Sequence, residues 1–299
     1  MRINQINFNK IVFQANSQKS IRQNVQANDE VIIFGKGNDV NREILAKMVE
    51  DYRKLDGVKA IVLGGSSSAK SADNHSDFDI YIYAKHEPDV EKRREIALKY
   101  STNPEIDNHY FETGDTYKLN QTGKPIDIMY RNPKFIENNI KWVWQECNAS
   151  LGYTTCFVDN VNKSEILYDK NGWFKNLQKI TQSPYPDKLA NNIIKKNYDY
   201  LKDVMFSYYD QLETAIKRND YVSINHRTSA FLASYFDILF AKNRLLNPGE
   251  KRLVEFAKQN CKILPRDFEK DVNLFAVGEP KIRLKIADKL LSNLIEIIR

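Results

Sequence analysis

The spacing of apolar residues changes several times in the first half of the chain. Between residues 40 and 57 they recur every three or four positions, which predicts an amphipathic helix. Short runs rich in β-branched and aromatic residues follow and predict strands. The predicted strands cover residues 59–63, 78–83, 109–113 and 126–130, with one more expected at 154–158. Further helices are predicted at residues 91–100 and after Asn132-Pro133, so helices and a mixed sheet share this half.

The second half is helical almost throughout. The apolar spacing predicts one helix over residues 186–219, another over 221–246, a third opened by Pro248 and a last one after Pro280. The fold class predicted is therefore α+β, a mixed sheet with flanking helices followed by an α-helical bundle domain. We place the boundary so that residues 1–180 form the first domain and 181–299 the second, with an irregular arm at residues 1–30.

Composition narrows the classes of protein that fit this pattern. The 299 residues are 42% hydrophobic and 28% charged, as expected of a folded protein with buried cores. The net charge of +6 is spread along the chain and suits an anionic substrate, but it is too weak to demand nucleic acid. No apolar run approaches the roughly 18 residues of a membrane span, and Cys147, Cys156 and Cys261 lack a CxxC spacing. We expect a cytoplasmic protein without a membrane partner.

An acidic pair marks the start of the strand predicted at residues 78–83. Asp77 and Asp79 are separated by Phe78, so the strand period of two puts both carboxylates on one face, while Phe78, Ile80 and Ile82 point to the other. Two adjacent carboxylates repel each other, and a divalent cation between them removes the repulsion. Hard oxygen donors are the ligands that Mg²⁺ prefers.

A glycine-serine stretch precedes this pair. Gly64 and Gly65 end the preceding strand and let the backbone approach a ligand closely, and Ser66 and its neighbours add hydroxyl and amide donors. Such a turn can hold phosphate oxygens. It is not a Walker loop, because no Gly-Lys-Ser/Thr follows at the required spacing, and the chain has no GxGxxG.

A third carboxylate, Asp127, lies in the strand predicted at residues 126–130. It is flanked by Ile126 and Ile128, and burying it unpaired would be costly. A cation or an open site on the same sheet face explains it best. Three carboxylates, a phosphate-holding turn and an implied metal together indicate phosphoryl or nucleotidyl transfer.

These residues resemble the signature of the DNA polymerase beta-like nucleotidyltransferase superfamily over residues 59–130. That signature is apolar-Gly-Gly-Ser followed, about eleven residues later, by Asp-apolar-Asp-apolar, with a third acidic residue on a later strand. The helical tail, including FDILFAKNRLLNPGEKRL, is similar to the helical domain of aminoglycoside and lincosamide nucleotidyltransferases and their bacterial relatives. One departure is that many relatives have a further glycine soon after the serine, where this chain has Ala69-Lys70-Ser71.

The resemblance implies a role for each matching acidic residue. Asp77 and Asp79 would hold two Mg²⁺ ions that bridge the phosphates of a nucleoside triphosphate (NTP), ATP among them. Asp127 would bind the metal nearer to the attacking hydroxyl or act as its general base. The implied reaction is attack of an acceptor hydroxyl on the α-phosphorus, which gives a nucleoside monophosphate (NMP) ester and pyrophosphate.

The nucleotide-binding residues implied in the same way come from the loop and its borders. Gly65 and Ser66 would contact the β- and γ-phosphates. The nucleotide-binding set predicted in full is Gly64, Gly65, Ser66, Lys70 and Ser76. Lys70 could reach a triphosphate, and it could equally be a solvated loop residue.

Three functions fit these residues. The first is an enzyme that modifies a small hydroxylated molecule, with aminoglycoside or lincosamide antibiotics the closest analogy. The second is a toxin-like nucleotidyltransferase that modifies tRNA or a protein. The third is a non-enzymatic binding module that has kept the fold, and the intact acidic positions argue against it.

Overall fold

The computed structural model describes residues 40–64, 77–110 and 112–299. The irregular arm predicted at residues 1–30 lies outside the described residues. Helix α1 (Val40–Tyr52) begins the described part of the chain, and it buries Ile44, Leu45, Met48 and Val49 along one side. The helix predicted from the three-to-four spacing is therefore confirmed.

Six strands of the described residues form one mixed sheet in the order β3-β4-β5-β2-β1-β6. They are β1 (Val58–Leu63), β2 (Phe78–Ala84), β3 (Glu105–Asn108), β4 (Gly114–Lys118), β5 (Pro125–Arg131) and β6 (Glu165–Asp169). β2 and β5 run parallel, and the other neighbouring pairs run antiparallel. The predicted mixed sheet is confirmed.

Different helices cover the two faces of this sheet. On one face, α1 and α2 (Val90–Leu98) bury a core that includes Ile61, Ile80 and Ile128. The other face packs against α3 (Pro133–Ile140), α4 (Cys156–Lys163), α5 (Trp173–Thr181) and α6 (Asp187–Tyr198). As predicted, Asn132 caps α3 by accepting the backbone N–H of Lys134, and a proline takes the first helical position.

Helices form the rest of the chain around a third core. They are α7 (Tyr208–Lys217), α8 (Tyr221–Lys242), α9 (Leu253–Asn260), α10 (Phe268–Val277) and α11 (Pro280–Ile298). Phe231, Phe275 and Leu290 lie in this core. Ala241, at the end of α8, belongs instead to the core between the sheet and helices α3 to α6. The helical bundle after the sheet is confirmed, and the domain boundary near residue 180 stays a prediction. No helix of the described residues has both the length and the apolar character of a membrane span.

Two predicted strands are wrong. The described residues of 109–113 connect β3 to β4 instead of forming a strand, and Tyr110 has 73% of its surface exposed. Tyr110 favoured a strand in the sequence, but its side chain faces solvent and does not pack on the sheet. Residues 154–158 lead into α4, where Val158 is buried against the sheet as part of the helix. The backbone N–H of Thr154 donates to the Asp237 side chain instead of to a neighbouring strand.

The helical half is more interrupted than predicted. The single helix expected over residues 186–219 is divided into α6 and α7, because Phe206 has a left-handed backbone (φ 62°) and Ser207 caps a new helix. The helix expected to open at Pro248 begins later, at Leu253. α5 and α10 were not predicted as separate helices.

Candidate active site

The side chains of β2 alternate between the two faces of the sheet. Phe78, Ile80 and Ile82 are buried in the core beneath α1, so Asp79 faces the other side of the sheet. Asp77 directly precedes the strand and is exposed to solvent. The alternation predicted for this segment is therefore present, and it puts the Asp79 carboxylate at the beginning of a central strand.

Four neighbouring strands bring their residues into one row across the sheet. Asp79 of β2 pairs in register with Asp127 of β5, and Asp127 pairs in turn with Thr116 of β4. On the other side of β2, the Gly64 N–H donates to the Asp79 carbonyl oxygen over 2.8 Å, where β1 ends. The strand register therefore sets residues that are distant in sequence side by side. We call Asp77, Asp79 and Asp127 the acidic cluster.

The carboxylates of the acidic cluster influence one another. Burial raises the pKa of Asp79, and the negative charges of Asp77 and Asp127 raise it further, while the positive charge of Lys251 acts in the opposite direction. A raised pKa here means that the ionised form of Asp79 is disfavoured by burial and by like charge. A bound cation would reverse that penalty.

Thr116 is a member of the row that the sequence analysis missed. Its hydroxyl donates to Asp127 Oδ1 over 2.9 Å and so restrains the rotation of that carboxylate. Within β4, Asp115 and Tyr117 are buried while Thr116 is exposed on the opposite face. The only signal in the sequence is this alternation, and it becomes informative once the β4–β5 register is known.

Gly64 lies in a tight space at the end of β1. A Cβ at this position would overlap the Tyr81 ring and would approach Asn160 Nδ2 to 3.3 Å. The Arg131 guanidinium lies 4.1 Å from the centroid of the same ring, and it is held by two hydrogen bonds of 2.6 and 2.8 Å to Glu112. Because the ring is held from the other side, only glycine fits at Gly64 without displacing it.

The oxygen donors of the acidic cluster fit a divalent cation by their chemistry. Carboxylates are the ligands that Mg²⁺ takes together with water and substrate phosphates. Here Asp79 and Asp127 lie on adjacent strands, and Asp77 directly precedes the first of them and is exposed to solvent. In residues 40–64, 77–110 and 112–299, no three His, Cys, Asp or Glu side chains are gathered closely enough to enclose an ion by themselves. The magnesium site stays a prediction.

The predicted site residues divide into two groups. Asp77, Asp79, Asp127 and Gly64 are described, and they meet at the end of the sheet where β1 finishes and β2 and β5 begin. The other predicted nucleotide-binding residues, Gly65, Ser66, Lys70 and Ser76, lie outside the described part of the chain.

Comparison with known proteins points to the same part of the chain. Residues 45–142, which contain β1 to β5 and all three carboxylates of the acidic cluster, match the family model described as "Nucleotidyltransferase domain". No curated protein matches the chain. Among solved structures, a nucleotidyltransferase-like protein from Exiguobacterium sibiricum 255-15 is similar, at 11% identity and a TM-score of 0.44, over 85% of this chain and 74% of that one. The family match confirms the prediction of a nucleotidyltransferase enzyme: the chain carries, over residues 45–142, a domain similar to the nucleotidyltransferases of the DNA polymerase beta-like superfamily.

Proposed function

We propose that the protein transfers an NMP from an NTP to a hydroxyl of a small-molecule acceptor, in a Mg²⁺-dependent reaction that releases pyrophosphate. The observation that carries the proposal is the direct pairing of Asp79 with Asp127 in the β2–β5 register. Asp77 precedes Asp79 by two positions, and Gly64 ends the neighbouring strand beside it. Together these residues supply hard oxygen ligands next to a backbone that a phosphate can approach.

Each carboxylate has a proposed place in the reaction. Asp77 and Asp79 would hold the Mg²⁺ ions, and Asp127 would face the acceptor hydroxyl. When bound, Mg²⁺ neutralises phosphate charge and makes the α-phosphorus more electrophilic. The chemistry depends on alignment and charge neutralisation more than on a strong base.

The bond changes themselves are simple. The acceptor oxygen forms a bond to the α-phosphorus, and the bond from that phosphorus to the oxygen bridging to the β-phosphate breaks, so that pyrophosphate leaves. The hydroxyl proton passes to the Asp127 carboxylate or to solvent. Thr116 keeps Asp127 in one orientation through its hydrogen bond to Oδ1, which favours a fixed line of attack.

We propose that residues 1–180 form the catalytic domain and that residues 181–299 bind the acceptor. The likeness of the helical tail to antibiotic nucleotidyltransferases supports an acceptor of the aminoglycoside or lincosamide type, and hence a role in antibiotic resistance. Such an enzyme would work in the cytoplasm, where NTPs and Mg²⁺ are abundant.

A pyrophosphate-release assay tests this function. Purified protein is incubated with Mg²⁺, with each of the common NTPs in turn and with a panel of hydroxylated antibiotics. We expect release with at least one pair, loss of release in Asp79→Asn, and retention in Asp56→Asn, whose carboxylate is 92% exposed in a turn. Absence of release with every pair and with cell extract, together with no binding of any Mg²⁺–NTP, would refute the proposal.

A labelled NTP separates the classes of acceptor. After incubation with cell extract, label in small molecules supports the proposed acceptor. Label in RNA or protein would replace it by a macromolecule, while leaving the transferase chemistry in place.

A further inference from the structure

The edge strand β3 contains one extra residue relative to its neighbour β4. Ile106 pairs with Asp115, but the next pair joins Asn108 to Gly114, so Asp107 has no partner in the ladder. Asp107 forms a β-bulge, and its backbone is left-handed (φ 65°), a conformation that is uncommon for residues other than glycine. Interactions elsewhere must therefore stabilise the backbone at this position.

The side of the sheet that α2 covers supplies these interactions. The Asp107 N–H donates to Asp115 Oδ1 over 2.9 Å, and Asp107 Oδ1 accepts a hydrogen bond from Arg93 Nη2 over 3.0 Å. The Arg93 side chain is fully buried and also forms ion pairs with Glu87 and Asp115. The bulge is thus held by a buried guanidinium that is itself fixed by three carboxylates.

The bulge changes which side chain of β3 reaches the face that carries Thr116. Glu105 pairs with Thr116, so a regular strand would put residue 107 on the same face and residue 108 on the other. Instead the Asp107 carboxylate is turned towards Arg93. Asn108 takes its place, and its Nδ2 donates to Thr116 Oγ1 over 3.2 Å.

The chemistry of the three side chains fixes the direction of their hydrogen bonds. An ionised carboxylate can only accept, so the Thr116 hydroxyl donates to Asp127 Oδ1 over 2.9 Å. The proton of that hydroxyl is then in use, and Asn108 must contribute an N–H to the Thr116 oxygen. We call this chain of Asn108, Thr116 and Asp127 the hydrogen-bond relay. It crosses β3, β4 and β5 and leaves the Thr116 hydroxyl one direction in which to point.

We propose that Asn108 is a positioning residue of the active site, which fixes the orientation of the Asp127 carboxylate through the Thr116 hydroxyl. The bulge at Asp107 places Asn108 where it can do so. This inference rests on the proposed function, in which Asp127 faces the acceptor hydroxyl. With Oδ1 held by Thr116, the other carboxylate oxygen meets the acceptor in one direction. The relay therefore acts on the rate of transfer and not on the binding of the NTP.

Two substitutions of Asn108 test the direction of the relay by pyrophosphate release. Asn108→Ala should lower kcat about three- to tenfold, the loss of one neutral hydrogen bond, and leave the KM for the NTP unchanged. Asn108→Asp has nearly the same shape, but its carboxylate would accept the Thr116 proton and turn the hydroxyl away from Asp127. Its kcat should therefore be lower than that of Asn108→Ala, whereas a role in filling space predicts the opposite order.

Controls separate the relay from charge and from general damage to the sheet. In the Thr116→Val protein, neither substitution of Asn108 should lower kcat further, because the relay is already broken. Asn120→Asp adds the same charge just beyond β4, at an asparagine whose Oδ1 accepts the Thr102 N–H, and it should keep the wild-type kcat.

NMR of the metal-free protein detects the relay without turnover. Asp127→Asn gives Thr116 a neutral acceptor, so the hydroxyl is less polarised and the Asn108 side-chain ¹H–¹⁵N signals should shift. The same substitution in the Thr116→Val protein should leave these signals in place.

The outcomes distinguish this inference from the proposed function. A wild-type kcat in Asn108→Ala, or an equal loss in the Thr116→Val protein, would refute the positioning role while the transferase proposal stands. A kcat for Asn108→Asp at or above that of Asn108→Ala would refute it as well. Unchanged Asn108 signals in Asp127→Asn would refute the relay whether or not turnover is found. If the wild type releases no pyrophosphate with any NTP, the proposed function fails, and the positioning role fails with it.

Discussion

Replacing Asp79 by asparagine should make the metal-free protein more stable while removing its affinity for Mg²⁺–NTP. Asp79 is paired with Asp127 across parallel strands, and the charges of Asp127 and Asp77 add to burial in raising its pKa. Asparagine has nearly the same shape and carries no charge. The substitution therefore removes repulsion within the acidic cluster and, with it, a metal ligand.

The size of the gain follows from the strand spacing. Neighbouring strands lie about 4.8 Å apart, and two unit charges at roughly 5 Å repel by about 3 kcal/mol at an effective dielectric constant of about 20 and by less than about 1 kcal/mol in bulk water. Because the site is open at the strand end and Lys251 offsets part of the repulsion, the smaller figure is the better guide. We expect a gain of about 1 kcal/mol in the free energy of unfolding, or about 2 °C in Tm.

Thermal unfolding with and without Mg²⁺ and NTP measures both effects. The wild type should gain stability with ligand, because ligand binds the folded state alone, and Asp79→Asn should not. The pH dependence has a definite sign. Since the pKa of Asp79 is raised by folding, the metal-free wild type loses stability as pH rises from about 4, the unfolded value, through the folded pKa. The gain in the free energy of unfolding from Asp79→Asn should be absent below about pH 4 and complete above the folded pKa of Asp79.

Asp56→Asn serves as the control for loss of an acidic side chain, and it should change neither the Tm nor the ligand response. If Asp79→Asn is no more stable than this control without metal, the carboxylates do not repel one another in the folded state. If Asp79→Asn keeps the wild-type response to Mg²⁺–NTP, Asp79 is not a metal ligand.

Three further substitutions test other parts of the structure. Gly64→Ala should lower the free energy of unfolding by about 1–3 kcal/mol in denaturant titrations, because its methyl group would overlap the Tyr81 ring, and a wild-type midpoint would contradict this packing. Thr116→Val should lower kcat while changing the free energy of unfolding by less than about 1 kcal/mol, and Thr116→Ser, which keeps the hydroxyl, should keep the wild-type kcat. Equal kcat values for the two variants would show that the hydrogen bond to Asp127 does not matter for catalysis. Asp237→Ala should lower the free energy of unfolding by about 3 kcal/mol or more in denaturant titrations, because it leaves the buried donors of Thr154 and Asn247 without an acceptor. A loss below about 1 kcal/mol would show that the hydrogen bonds to Asp237 contribute little to stability.

The sequence predicts well those helices and strands whose buried side is marked by the spacing of apolar residues within the same segment. The apolar spacing of α1 and the strand character of β1, β2 and β5 correspond to sides that are in fact buried. The segment at residues 109–113 misleads because Tyr110, an aromatic residue typical of strands, is exposed between β3 and β4. Local composition cannot distinguish an aromatic residue in a strand from one in a solvated connection.

The same limit applies to the candidate site. The period of two was enough to place Asp79 and Asp127 on one face, because each lies between buried apolar residues. Thr116 could not be found in this way, since its contact with Asp127 depends on how β4 pairs with β5.

The order of strands has a consequence for how the protein folds. β1 and β2 pair with each other, and each finds its second partner far along the chain: Asp79 of β2 pairs with Asp127, and Ala60 of β1 pairs with Asp169. Pairings between distant segments are slow to form, because the loop must close before any contact stabilises it. The carboxylates therefore come together only when the long-range pairing of β2 with β5 is complete. A partly folded chain cannot bind nucleotide through this site, and the appearance of nucleotide binding during refolding would report the closure of the sheet.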